Sequence, residues 1–195
     1  MKRLFALILF AALPALGATV GTPAPDFALE NVAAGTVKLS QHRGKYVVLE
    51  WVNPECPYVR KHYGSANMQR LQKDYTAREV VWLSINSTRA GHPEHKAPVE
   101  MAAWMKRMNA APSATLLDPK GDVGRSYGAR TTPHMYIVDP KGVLVYAGAI
   151  DDKRSTDPED VKSARNFVRA ALDELLAGKA VRDASTAPYG CSVKY

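Results

Sequence analysis

The chain has 195 residues, 46% of them hydrophobic and 23% charged, which is enough for one α/β domain and too apolar for a disordered segment. Its formal net charge of +7 is spread without any Lys/Arg-rich block, so no nucleic-acid site is read from it. Only two cysteines are present, Cys56 and Cys191, which excludes a disulfide-dense scaffold.

In chain order, Lys2 and Arg3 come first. An uncharged apolar run from Leu4 to Leu13 follows, and then the small residues Ala15, Gly17 and Ala18. This is the pattern of a secretory signal peptide over residues 1–18, cleaved after Ala18, and it places the protein outside the cytoplasm, in the periplasm. The apolar run is short for a bilayer span; a retained anchor is the alternative reading. Residues 19–195 are expected to form a single domain. In an oxidising compartment the two cysteines can form one disulfide or stand as unrelated thiols.

Tyr46 to Val52 is a nearly continuous apolar run, as expected of a strand buried on both faces. Pro57 to about Arg78 reads as one helix, weakened at Gly64-Ser65. Val80 to Ile85 is a second buried strand, Pro98 to Met108 a helix, and Thr115 to Leu117 a short strand. His134 to Asp139 and Val143 to Ala147 flank a turn at Pro140-Lys141-Gly142 and read as a hairpin. A last helix is expected from Asp157 as cap and Pro158 at its first position to Gly178 just past its end. Residues 180–195 read as an irregular tail. The β-α-β order calls for a parallel strand pair, the hairpin adds antiparallel strands, and the result is a mixed sheet with helices on both faces.

Cys56 stands just past a buried strand and just before a helix that starts with Pro57. A thiol there faces unpaired backbone N–H groups and the positive end of the helix dipole, both of which favour the reactive thiolate. Arg60, Lys61 and His62, one turn on, add positive potential. The residue has the context of an activated nucleophile; a buried inert cysteine at a strand end is the alternative.

The stretch LSQHRGKYVVLEWVNPECPYVRKHY resembles the active-site region of the redoxins, meaning the alkyl hydroperoxide reductase/thiol-specific antioxidant and thioredoxin-like families. YGARTTPHMYIVDPKGVLVYAGAIDD resembles their proline loop and closing hairpin, and YGCSVKY the tail of an exported peroxiredoxin-like branch. The resemblance runs from about Thr22 to Tyr195 and implies a thioredoxin fold. It also implies a cis bond at Thr132-Pro133, facing the reactive cysteine and leaving the Thr132 backbone free to pair with an extended substrate strand.

The departures are chemical. Thioredoxins carry C-x-x-C, whereas this chain has Asn53-Pro54-Glu55-Cys56, so no dithiol reaction can occur inside the motif. Peroxiredoxins carry P-x-x-x-T-x-x-C, and here Leu49 and Asn53 replace the Pro and the Thr. Asn53 could still donate a hydrogen bond toward the thiolate or a peroxide oxygen. Arg130 either replaces the family's thiolate-pairing Arg or is a solvated loop residue. Glu50, in an apolar strand, is either a buried carboxyl with a raised pKa that moves protons for the thiol, or an edge residue that is solvated or paired. His92 and His95 lie in a Gly/Pro-rich loop and read as solvated, so no metal is assigned and no cofactor is called for.

The resulting expectation is an exported redoxin. Cys56 attacks a hydroperoxide or a protein disulfide, and a second thiol, Cys191 or an external one, resolves the product, with an external thiol as final reductant. A metallochaperone or redox-inert binding module on the same fold is the rival.

Overall fold

A computed structural model describes residues 17–195, so nearly all of the signal peptide expected at 1–18 lies outside the described residues. The chain begins with a hairpin, β1 (Ala28–Asn31) and β2 (Thr36–Lys38), then enters the central strand β3 (Val47–Trp51). Helices α1 (Pro57–Gly64) and α2 (Asn67–Thr76) lead to β4 (Val81–Asn86). After α3 (Pro98–Arg107) come β5 (Ala114–Leu117), the short α4 (Asp122–Tyr127) and the two-residue β6 (Thr131–Thr132). The hairpin β7 (His134–Val138) and β8 (Leu144–Gly148), helix α5 (Phe167–Leu176) and the two-residue β9 (Cys191–Ser192) complete the chain.

Seven strands form one mixed sheet in the order β2-β1-β5-β4-β3-β7-β8. β3, β4 and β5 run parallel, while β7 and β1 pair antiparallel on either side of them. β3 shows why its sequence is apolar at every position but Glu50. Val48 and Val52 point to the face packed by α1, α2, α3 and α5, through Val59, Tyr63, Leu71, Trp104 and Leu172. Val47, Leu49 and Trp51 point to the opposite face, closed by Tyr127 of α4 and by Phe27 and Leu39. Alternate side chains of one strand thus enter two separate cores. This is the thioredoxin fold expected from the sequence, with helices on both faces.

Two of the expected helices are each broken in two. The Pro57–Arg78 segment stops at Gly64, passes through Ser65, and restarts after Ala66, whose φ is +57°. The segment from Asp157 begins with a 3-10 turn at Pro158–Lys162, which Asp157 does cap by accepting a hydrogen bond from the N–H of Glu159 at 2.9 Å. α5 then starts afresh at Asn166, whose side chain caps it through the N–H of Arg169 at 2.9 Å. The expected single helix is therefore a 3-10 turn followed by a separate α5, and Val161 and Ala164 lie outside α5. The β1–β2 hairpin and α4 carried too few apolar repeats to be read from the sequence.

The tail at 180–195 is irregular over most of its length but closely held. Along the β8 edge the Ala147 N–H donates to the Ala184 carbonyl at 3.0 Å and the Thr186 N–H donates to the Ala147 carbonyl at 3.1 Å, and the Val193 N–H donates to the Arg130 carbonyl at 3.0 Å. The Tyr195 hydroxyl donates to the Ala129 carbonyl at 2.6 Å. Between these anchors β9 pairs antiparallel with β6.

Candidate active site

Cys56 is the N-cap of α1, in extended backbone geometry with Pro57 at the first helical position. Its own N–H donates to the Asn53 carbonyl at 3.1 Å, closing the Asn53-Pro54-Glu55-Cys56 turn that carries the chain from β3 to α1. The side chain is 1% exposed. Its S–H donates to the backbone carbonyl of Thr132 at 3.0 Å. The Thr132–Pro133 bond is cis. Thr132 is buried, and its hydroxyl has no hydrogen-bond partner among the described residues.

The Thr132 backbone is not free, as the resemblance implied, because the chain's own tail occupies it. Thr132 faces Cys191, and Thr131 faces Ser192, in the β6–β9 ladder. That pairing places Cys191 opposite the residue whose carbonyl accepts the Cys56 thiol, against the same apolar cluster that holds Cys56. Both cysteines are free thiols. Burial, followed by the hydrogen bond and the charge that Cys56 presents, pushes Cys191 up to about 12.

Other candidate residues stand differently from expectation. The Asn53 side chain does not turn to the thiol: its oxygen accepts the N–H of Glu55 at 2.9 Å, and its amide donates to Glu94 at 2.6 Å. Asn53 shapes the turn. Arg130 is exposed, and its guanidinium has no ion-pair partner among the described residues, so it does not pair with Cys56 in this state. Its backbone carries the contacts, receiving Val193 and donating to His134 Nδ1 at 3.3 Å.

The positive potential expected from Arg60, Lys61 and His62 is largely absorbed. Arg60 pairs with Glu55. Lys61 is buried and donates to the Lys153 carbonyl at 2.8 Å. His62 is fully buried, and burial, with the Lys61 charge, pushes it down to about 3. It is neutral, so the 3.9 Å approach of Asp151 is not an ion pair.

Glu50 takes the buried one of its two readings. It lies on the α1 and α2 side of β3 with no exposure. Four donors close around it: Tyr63 at 2.8 Å, Trp82 at 2.8 Å, Ser84 at 2.9 Å and Gln72 at 3.2 Å. Burial raises its pKa, and the four hydrogen bonds partly offset that rise.

Sequence reasoning missed the group that holds the tail. Asn67 sits 3.0 Å from His62 Nδ1, and His62 Nε2 sits 3.2 Å from the Tyr189 hydroxyl, which donates to Asp151. The Tyr189 ring also packs edge-on against Tyr58 in the first turn of α1, with centroids 5.7 Å apart. Tyr189 is thus fixed to the helix that Cys56 begins, two residues before Cys191. The only signal for it was Tyr189-Gly190-Cys191 itself, a large ring and a glycine before a cysteine in a tail of mostly small residues. Of the loop histidines, His95 turns Nδ1 to the Thr88 carbonyl at 3.1 Å and His92 accepts the Glu94 N–H at 3.1 Å. No group of three or more His, Cys, Asp or Glu side chains gathers to hold a metal among the described residues.

With a buried N-cap thiol against a cis-proline loop on a thioredoxin sheet, comparison with known proteins is decisive. The sequence matches the AhpC/TSA family over residues 20–147, well over half of the chain. The chain belongs to the AhpC/TSA family. It is a thioredoxin-like redoxin and an oxidoreductase. It is 27% identical over 148 residues to the thioredoxin-like protein YneN of Bacillus subtilis, covering 75% of this chain and 82% of that one. Among solved structures, an uncharacterized conserved protein from Geobacillus kaustophilus superposes with a TM-score of 0.79 at 30% identity, covering 95% of this chain and 98% of that one. The thioredoxin domain of a thiol-disulfide oxidoreductase from Bacteroides vulgatus shares the fold, with a TM-score of 0.55 at 19% identity over 75% of this chain and 97% of that one.

Proposed function

We propose that this redoxin works through two cysteines, with Cys56 as nucleophile and Cys191 as resolving thiol, and that it does so after export. The observation that carries the reading is that Thr132 pairs with Cys191 in the β6–β9 ladder while its carbonyl accepts the Cys56 thiol at 3.0 Å. Cys56 thiolate attacks the terminal oxygen of a hydroperoxide. The O–O bond breaks, the leaving alkoxide takes a proton, and Cys56 becomes a sulfenic acid. The Cys191 sulfur then attacks Cys56, and hydroxide departs with the Cys191 proton as water, leaving a Cys56–Cys191 disulfide. With a disulfide substrate, Cys56 forms the mixed disulfide and releases one thiolate; Cys191 displaces the second thiol. Either way an external thiol must return both cysteines to the reduced state.

The other site residues serve Cys56. Thr132 and Pro133 form the wall against the thiol, Asn53 fixes the turn that aims it, and Glu50 is a protonatable group beneath α1. Arg130 would act only if the loop moved it inward. Export rests on the basic start, apolar run and small residues of the first 18 positions, and it supplies the oxidising compartment in which a Cys56–Cys191 pair persists. Stopped-flow oxidation of the reduced protein by hydrogen peroxide tests the nucleophile. Fast reaction in wild type and none in Cys56→Ser is expected; equal behaviour of the two proteins would refute the assignment.

A further inference from the structure

β9 shows how a polypeptide delivers a sulfur to Cys56. The chain must lie extended along Thr131–Thr132, and the residue opposite Thr132 then carries its sulfur to the thiol. In this protein that place is taken by the tail. Gly190 makes the fit: a Cβ built there would lie 2.1 Å from the Thr132 carbonyl oxygen, and the residue's φ is +138°. Tyr189, hydrogen-bonded to Asp151 and packed on Tyr58, holds the strand on one side, and Val193 bonded to Arg130 holds it on the other.

We propose that the tail strand sets the substrate class of Cys56: it admits small hydroperoxides and small disulfides and excludes extended polypeptide disulfides. This inference rests on the two-cysteine reading above. A small molecule has only to reach one sulfur, which requires Cys191 and its immediate neighbours to shift. A polypeptide needs the whole strand position and must break the β6–β9 ladder and the Tyr189 anchor before it can pair. Gly190 and Tyr189 are therefore positioning residues for specificity. Neither touches the reacting atoms of a small substrate.

Two disulfides of similar intrinsic reactivity test this, 2-hydroxyethyl disulfide and an unfolded polypeptide carrying an aliphatic disulfide. In each case Cys56 thiolate attacks one sulfur, one thiolate leaves, and Cys191 displaces the second thiol to close the internal disulfide. Rates are measured for the wild type, Gly190→Val and the milder Tyr189→Phe, with iodoacetamide labelling of Cys191 reporting whether the tail is unseated. In the wild type the small disulfide is expected to react far faster than the polypeptide. In both variants labelling should rise and the polypeptide rate should increase, in Tyr189→Phe by about tenfold or more, the factor that one lost hydrogen bond to a carboxylate typically gives, and in Gly190→Val through the clash of the new side chain with the Thr132 carbonyl. The small-disulfide rate should change much less. Equal wild-type rates for both substrates, or variants that accelerate both alike, would overturn the inference. If neither disulfide nor hydrogen peroxide reacts with Cys56 in any of the three proteins, the two-cysteine reading itself fails, and the inference with it.

Discussion

Cys191 faces Thr132 across the β6–β9 ladder, and the carbonyl of the same Thr132 accepts the thiol of Cys56 at 3.0 Å. One residue of the cis-proline loop thus organises both cysteines, although 134 positions lie between them in the chain. The tail and the first turn of α1 are further joined through Tyr189 and Tyr58, so each thiol is fixed relative to the other from two sides.

Removing the second thiol separates the two chemical steps. Cys191→Ser is expected to retain the first reaction with hydrogen peroxide but to form no internal disulfide. Its sulfenic acid, left without a resolving partner, should advance to sulfinic acid in excess peroxide. Intact mass after timed peroxide exposure reads this as the addition of two oxygens to Cys56. A variant that stays reduced, or that is no more readily overoxidised than the wild type, would count against the resolving role.

Gly190→Ala should unseat the tail. The added methyl would lie 2.1 Å from the Thr132 oxygen in a backbone conformation that L side chains rarely adopt. Strain of this kind costs about 1–3 kcal/mol. The expected result is a stability loss of that order in urea denaturation, with faster alkylation of both cysteines in the folded state. Unchanged alkylation would mean that the strand stays docked.

Glu50 distinguishes a removed carboxyl from a removed acceptor. Glu50→Ala leaves Tyr63, Trp82, Ser84 and Gln72 with donors aimed at an empty site. Gln72 still reaches the Tyr63 hydroxyl at 3.2 Å, which leaves three donors unpaired; each costs about 1–3 kcal/mol, so the variant should be destabilised by at least about 3 kcal/mol. Glu50→Gln keeps one acceptor oxygen and should lose clearly less. Equal losses in urea denaturation would show that the four hydrogen bonds are not the source of the effect.

The acid limb of stability should carry the signature of His134. Burial, aided by the Arg130 charge, pushes this imidazole down to about 3 from its ordinary 6.5. The Arg130 N–H pointing at Nδ1 fits the neutral ring. As pH falls below about 6.5 the unfolded chain binds a proton at this ring while the folded chain does not until about pH 3, so protonation favours unfolding. The stabilising contribution is complete above pH 6.5 and is lost as pH falls toward 3. The stability advantage of wild type over His134→Gln should therefore shrink between pH 7 and pH 4 in urea titrations, about 1.4 kcal/mol per pH unit at the steepest. A gap that does not vary with pH would contradict a neutral buried ring.

Much of the fold was legible because β3 and β4 are apolar on both faces and the β7–β8 hairpin carries Pro140-Lys141-Gly142 at its turn. The position of Cys56 at a helix start was legible for a local reason, Pro57 after a buried strand. What the sequence could not display is long-range. Nothing local tells that Thr132 pairs with Cys191, or that His62, in a run of basic residues, turns inward to Tyr189 and Asp151 and becomes neutral. Asn53 looked like a substitute for a catalytic hydroxyl because it occupies that position. Its amide is instead spent on Glu94, a contact that loop geometry alone decides.

The most direct test is peptide mapping of the reduced protein after one equivalent of hydrogen peroxide, digested under conditions that block thiol exchange. The two-cysteine account requires a linked pair of peptides containing Cys56 and Cys191, in stoichiometric yield, within a single chain, and reversible by an external thiol. Cys56 recovered as sulfinic acid or bound only to an added thiol, with Cys191 still free, would contradict it.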